Sequence, residues 1–343
     1  MKLLTIVIPS FNSEKFLADC LSSLLWGIDD LLDVIVINDG SKDKTSEIAH
    51  EFADKYPFIR VVDKENGGHG SGINKGLELA EGLYFKVLDS DDHLDKEGLF
   101  HLLDVIKSHV EKNTLPDVYV ADYVSVSVEN GDTQVSSIKK RFKKIEEIVT
   151  FKDVQRFSNT EYFMIHMLFV KTSFLKETKM QLIEKTFYED NQFVFHVLKY
   201  AETYCHLDKP IYLYSIGRVG QSISLASVDK NYMHQIRVSN AILSMFSYDE
   251  YKVMDKYKKW QILHELYIIE ILVFFYIYII PTKEKKKVFY EFMRTFKKKE
   301  PKIYRRLKHR TLLFFPWMLP PFMRGFFTKL FYKTVGKKKG WTF

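Results

Sequence analysis

The chain has 343 residues, 46% hydrophobic and 28% charged, which excludes disorder for most of its length and leaves one sizeable core plus an extension. Its two cysteines, Cys20 and Cys205, form no CxxC pair, which excludes a disulfide framework or a cysteine-built zinc site. The net charge of +7 conceals two regions: residues 250–343 hold 23 Lys+Arg against 7 Asp+Glu, a net of +16, and residues 1–249 hold 28 against 37, a net of −9. The acidic part suits binding through a cation, and the basic part suits an anionic surface.

Residues 3–8 are a continuous apolar run ending in Pro9, expected of a strand buried on both faces of a parallel sheet. The run is too short and too early broken for a signal peptide, so the protein is expected to face the cytosol. Ser13 is read as the cap of a helix whose apolar residues Phe16, Leu17, Cys20, Leu21 and Leu24 share one face. Residues 34–37 form a second buried strand, Ile48, Ala49, Phe52, Ala53 and Tyr56 mark a second helix, and residues 59–62 a third strand. A glycine-rich stretch and a short helix at 77–80 lead to a fourth strand, 84–88, which stops at an acidic cluster. This alternation predicts an α/β, doubly wound sheet. Further on come a helix at 96–108, strands at 118–128 and 134–140 joined by an Asn130-Gly131 hairpin turn, and mixed elements to about 214. From Asp229 the pattern turns helical, aromatic and basic.

Ligands of such sheets sit beyond the carboxyl ends of the strands, and the polar residues gather there: Pro9, Ser10, Phe11 and Asn12; Asn38, Asp39, Gly40 and Ser41; Lys64 to Gly68; and Asp89, Ser90, Asp91 and Asp92. Three aspartates within four residues repel one another unless a cation shares their charge. Mg²⁺ or Mn²⁺, which keeps open positions for phosphate oxygens, is the economical answer. The glycines from Gly67 to Gly76 let backbone amides approach a ligand ahead of a helix N-terminus, a natural phosphate neighbourhood.

Taken together, Thr5 to Asn12, Val36 to Asp43, Asn66-Gly67-Gly68 with Asn74-Lys75-Gly76, and Ala80 to Asp92 resemble the family 2 glycosyltransferases. The resemblance is strong over residues 3–100 and weaker to about 224. It implies a GT-A type, doubly wound mixed sheet, which the pattern after Asp229 extends with a helical C-terminal region. It implies a nucleotide-sugar-binding catalytic domain at 1–225; residues 226–343, beyond its reach, are expected from their helical, aromatic and basic pattern to be a membrane-associating region. Pro9, Phe11 and Asp39 would then hold the base, with Asn12, Asn66, Gly67, Asn74, Lys75 and Ser90 also against the nucleotide. Asp89 would approach the ribose or the metal, and Asp91, with Asp89 and Asp92, would hold Mn²⁺ or Mg²⁺ on the diphosphate. Asn38 departs from the family, where many relatives carry a second Asp.

Phe187 to Phe193 looks like the family's ED motif, which makes Asp190, then Glu189, the expected base for an inverting transfer; as a bare sequence feature, Asp190 also suits a helix N-cap. The segment 214–224 resembles one that closes over the donor diphosphate, with Arg218 to neutralise phosphate and Ser222 or Ser224 to hydrogen-bond it. The donor expected from the family is a UDP-sugar and the acceptor a cell-surface glycan, polymer or lipid-linked saccharide. A non-catalytic glycosyltransferase-like partner and a sugar nucleotidyltransferase are the alternatives. The latter lacks the basic glycine loop it needs after the first strand.

Residues 266–280 are apolar but interrupted by Glu270 and shorter than the roughly 20 that span a bilayer. Beyond them basic runs alternate with aromatic residues from Phe314 to Phe331, typical of segments in a membrane interface. Prolines among large apolar residues make a poor phosphate-tracking groove, so no nucleic acid is expected. The expected location is cytoplasmic, peripheral to the inner face of the cell membrane.

Overall fold

The computed structural model describes residues 1–218, 221–222, 224–308 and 319–331. The chain divides into two compact units, one of residues 1–155 and 163–215, the other of residues 156–162 and 216–343.

The strands, in chain order, are β1 Leu4–Ser10, β2 Leu32–Asn38, β3 Ile59–Asp63, β4 Tyr84–Val87, β5 His93–Leu94, β6 Val118–Val120, β7 Tyr123–Ser127, β8 Thr133–Ser136, β9 Leu168–Lys171, β10 Tyr204–His206 and β11 Tyr212–Ile216. A seven-stranded sheet runs β10-β6-β9-β4-β1-β2-β3, and a four-stranded one β5-β11-β7-β8. β1 and β2 are buried along their whole length, as apolar runs without alternation require. β1 lies parallel to β2 and β4, and β2 to β3, while β9 runs antiparallel to β4 and β6. The doubly wound mixed sheet is therefore as expected, and the carboxyl ends of β1 to β4 emerge along one edge.

The helices of this unit are α1 Leu17–Ser22, α2 Thr45–Lys55, α3 His69–Leu79, α4 Lys96–Glu111, α5 Thr172–Glu177 and α6 Asp190–Tyr200. α3 lies close on β1 because Gly76 has no side chain: a Cβ there would fall 2.3 Å from Val7 Cγ1. α3 begins at His69, directly after Gly68, rather than at 77. Ser13 caps no helix. α1 starts four residues later, and the Ser13 hydroxyl instead meets that of Ser90 at 2.7 Å. The run 118–128 is two strands in two sheets, β6 and β7, broken at Ala121-Asp122, and the partner of the hairpin ends at Ser136, not at 140.

Asp33 ties the start of this sheet together. Its buried carboxylate accepts from Thr5 Oγ1 at 2.8 Å, from Arg60 Nη2 at 2.7 Å and from the Glu81 amide at 3.2 Å. Asp33→Ala strands those donors and lowers stability by about 2–3 kcal/mol, discounted for the partly exposed Arg60; a urea titration measures it, and a loss under about 0.5 kcal/mol refutes the tie.

The second unit holds α7 Leu225–Ser244, α8 Tyr248–Val253, α9 Lys256–Tyr278, α10 Lys283–Lys299, α11 Pro301–Lys308 and α12 Pro321–Phe331. Ser224, Ser247, Asp255 and Thr282 cap α7 to α10 in turn. α9, which contains most of the 266–280 run, is long and apolar enough to cross a membrane, but 78% of its apolar window is buried within the protein.

Candidate active site

Four strand ends are stitched together by hydrogen bonds. The Asp39 amide donates to Ser10 O at 2.8 Å, the Asn12 amide to Ser41 Oγ at 3.0 Å, and the Lys42 amide to Asn12 Oδ1 at 2.9 Å, with Asn12 in the left-handed region at φ 51°. Asp39 is buried and accepts from the amides of Gly67 (2.9 Å) and Gly68 (2.7 Å) and from Lys64 Nζ (2.7 Å). Its carboxylate thus sets the shape of the glycine loop, and Asn66 Nδ2 closes the same loop on Asp39 O at 2.9 Å. Pro9 is buried, whereas Phe11 stands exposed at the strand ends.

The acidic cluster follows β4. Asp92 is fully buried, accepting from the Tyr212 hydroxyl at 2.7 Å and the Ser215 amide at 2.8 Å. Burial, with the charges of Asp91 and Asp89, pushes its carboxyl well above the usual range. Asp89 lies 3.1 Å from His69 Nε2 and 3.6 Å from His166 Nε2. Burial opposes its ionisation, but the two histidines outweigh that and hold it well below the usual carboxylate range. Asp91 is half-buried in the same turn, and Ser90 is buried against Ser13.

Two residues that the sequence reading missed complete the cluster. Lys86, in the middle of β4, is fully buried, with Nζ donating to the carbonyls of Ile165 (3.2 Å) and His166 (2.5 Å) between the rings of Phe169 and Tyr212. Burial drives its pKa well down, against the pull of Asp89 and Asp92. It holds the segment that carries His166, whose ring packs between Tyr212 and Tyr214 at centroid distances of 4.6 Å. A lysine inside a buried strand was a legible signal; His166, 77 residues beyond Asp89, gave none.

His69 opens α3 and joins this cluster to the ED pair. Its Nδ1 lies 2.6 Å from Glu189 Oε1 while Nε2 faces Asp89. Burial opposes its protonation, yet the two carboxylates hold the imidazolium well above the usual histidine range. Glu189 is buried and occupies the N-cap position of α6 without capping it, and Asp190 is the first helical residue. Capping therefore explains neither side chain. Asp190 is pushed up to about 7 by burial and by the Glu189 charge.

Asn74 and Lys75, also expected at the site, have partners within the same unit. Asn74 clamps the backbone of Leu182 in both directions, at 2.9 and 2.8 Å, and Lys75 pairs with Glu78 at 2.8 Å. Arg218 belongs to the second unit, where its amide donates to Gln221 Oε1 at 3.1 Å. Ser224 caps α7, and residues 219, 220 and 223 of that segment lie outside the described residues.

For a divalent cation, the side chains present fit. Asp89, Asp92 and His166 each turn a ligand atom to within 4.8 Å of the others, and both His166 ring nitrogens are buried with no close hydrogen bond. Carboxylates with one imidazole are a donor set that Mn²⁺ accepts. Asp91, the expected diphosphate-side ligand, is not in this trio.

Comparison with known proteins gives concordant results. Residues 5–170 match the model of glycosyl transferase family 2. The chain is 27% identical over 214 residues to the uncharacterized glycosyltransferase EpsJ of Bacillus subtilis, covering 62% of this chain and 60% of that protein. It is 33% identical over 120 residues to a Pasteurella multocida chondroitin synthase, covering 35% of this chain and 12% of that one. The chain thus spans about 60% of the length of EpsJ. Among solved structures, S. aureus TarS 1–349 in complex with UDP-GlcNAc superposes with a TM-score of 0.63 at 21% identity, covering 99% of this chain and 91% of that one. The Pyrobaculum calidifontis mannosyltransferase PcManGT, in complex with GDP-Man and Mn²⁺, gives 0.51 at 14% identity, covering 88% and 82%. Residues 5–170 thus carry the match to glycosyl transferase family 2, and the chain shares the GT-A fold of these neighbours.

Proposed function

We propose that the chain transfers a sugar, a hexose or N-acetylhexosamine, from a nucleoside-diphosphate donor to a glycan, polymer or lipid-linked acceptor, with inversion at the anomeric carbon. The observation that carries the proposal is the bridge from Asp89 through His69 to Glu189, at 3.1 and 2.6 Å. It joins the acidic strand end, where a diphosphate is expected, to the pair expected to handle the acceptor.

In the reaction the acceptor oxygen forms a bond to the anomeric carbon, its proton passes to the Asp190 carboxylate, and the bond to the diphosphate oxygen breaks with its electrons on the leaving group. Asp190 suits this role because a base poised near neutrality is most effective there. His69 holds Glu189 in place and presents positive charge beside Asp89. Asp39 fixes the Gly67-Gly68 amides, and the exposed Phe11 ring offers a stacking face to a base. Mn²⁺ or Mg²⁺, when bound by Asp89 and His166 with Asp92 and Asp91, supplies positive charge against the diphosphate.

UDP is the preferred nucleotide: TarS carries UDP-GlcNAc, although PcManGT carries GDP-Man. The presence of Asp39, Asp91 and Asp190 together favours an enzyme over a non-catalytic partner. The net +16 of residues 250–343 supports a location in the cytoplasm, peripheral to the inner face of the membrane. A panel of UDP-, GDP- and TDP-sugars, read by nucleoside-diphosphate release with Mn²⁺ present, is expected to single out a UDP-sugar. Release from none of them overturns the enzymatic reading.

A further inference from the structure

α12 has its polarity reversed. Arg324 and Thr328 are buried, at 6% and 3% exposure, while Phe322 (82%), Phe326 (71%), Met323 (41%) and Leu330 (47%) face outward with Lys329. Positions 322, 326 and 330 recur every four residues and 323 lies beside them, so they make one continuous stripe on the helix. A helix on the surface of a water-facing unit turns such a stripe inward.

The helix is held in this orientation by specific contacts within its own unit. Arg324 Nη1 donates to the hydroxyls of Tyr278 at 3.2 Å and Tyr290 at 3.0 Å, and Nε to Leu319 O at 3.2 Å. A Cβ on Gly325 would come 3.2 Å from Pro281 Cγ, so the glycine lets α12 sit close to the end of α9. Thr328 Oγ1 turns back to Arg324 O at 2.8 Å. The polar side is therefore used in docking the helix, and the apolar side is what remains for something else.

We infer that α12 lies flat in the headgroup region of an anionic bilayer, with Phe322, Met323, Phe326 and Leu330 inserted among the acyl chains. Eleven residues of helix span about 16 Å, too short to cross the hydrocarbon core. The occupant follows from charge. Lys329 stands within the stripe, and Arg294, Lys297, Lys298, Lys299, Lys302, Arg305 and Arg306 are exposed on the preceding helices of the same unit. A second copy would bring one region of net +16 against another, whereas an anionic lipid surface complements it. This inference rests on the inner-face location proposed above and gives it a structural element.

The test uses the full chain in flotation with phosphatidylcholine vesicles and with vesicles of phosphatidylcholine and phosphatidylglycerol at 3:1, beside its oligomeric state by light scattering. The wild type is expected to float with the anionic vesicles and much less with the neutral ones. Phe322→Glu with Phe326→Glu places charge on two outward positions, and it should reduce partitioning by about tenfold to a hundredfold with an unchanged melting temperature. Phe326→Ser, a milder change, should give an intermediate loss. Val253→Glu, at an outward position of α8 that is 84% exposed, should bind as the wild type does. Equal flotation of the double variant and the wild type overturns the inference, as does a wild type that ignores anionic vesicles. So does a wild-type dimer that the double variant turns into monomer. Binding needs no sugar donor, so any of these failures leaves the release assay to decide the transferase reading separately.

Discussion

Asp190→Asn is expected to lower the transfer rate by about 10²-fold to 10⁴-fold while leaving donor binding nearly unchanged. The substitution keeps the shape of the side chain and its place at the start of α6, and removes only the capacity to take a proton. The wild-type pH profile carries a second signature. Burial and the Glu189 charge push Asp190 up to about 7, and a base acts in its ionised form, so the rate should climb with pH and level off above that value. One unit below it, only about a tenth of the molecules hold the working form. The stability effect has the opposite sense. A carboxyl whose folded pKa lies above its unfolded value binds its proton more tightly in the native state, so its contribution is fully present below the unfolded value of 3.8 and is lost as pH rises through about 7. The Asn variant should therefore be at least as stable as the wild type at pH 8 while being nearly inactive. Single-turnover rates between pH 5.5 and 8.5, beside melting curves, check both statements. An unchanged rate and profile would return Asp190 to a helical role and make Glu189 the next residue to replace.

The parts of this structure that were legible in the sequence are those whose cause is local. The apolar stretches of β1 and β2 show no alternation because both faces of these strands are covered. The clustering of Asp39, the glycine loop and Asp89 to Asp92 followed from strand polarity alone. What stayed hidden depends on partners far along the chain. Ser13 has the chemistry of an N-cap, but a hydroxyl 77 residues away took it. The break between β6 and β7 falls at Asp122, whose carboxylate accepts from the Ile138 amide at 3.0 Å, so the strand changes sheets for a reason that periodicity does not encode. His69 stands in a glycine-rich stretch that gives no hint of its partners, yet it sits between carboxylates 20 and 120 residues away. The reversal of α12 is similar, since its 3.6-residue pattern identifies an apolar face but says nothing of which way that face turns.

Removing divalent metal should abolish turnover, and Mn²⁺ or Mg²⁺ should restore it. Asp89, Asp91 and Asp92 share one turn, and the described structure adds His166, held by the backbone that Lys86 grips, to the same small volume. Without a cation the cluster is kept together by weaker means: Asp92 leans on Tyr212 and the Ser215 amide, and Asp89 on two histidines. An ion ligated by Asp89 and His166 replaces one of those partners, so His166→Ala should raise the Mn²⁺ concentration needed for half-maximal rate by on the order of tenfold to a hundredfold. Asp91→Ala should instead remove the rate at any Mn²⁺ concentration if that residue meets the diphosphate through the ion. Titrating Mn²⁺ into chelator-treated wild type and the two variants, with nucleoside-diphosphate release as the readout, separates the assignments. Should wild type and His166→Ala titrate alike while Asp91→Ala is dead, the ion rests on Asp89 and Asp91, and His166 serves only to hold Asp89. Full turnover in excess chelator would remove the metal from the mechanism, leaving the His69 imidazolium, well above the usual histidine range between Asp89 and Glu189, as the positive charge set beside the leaving group.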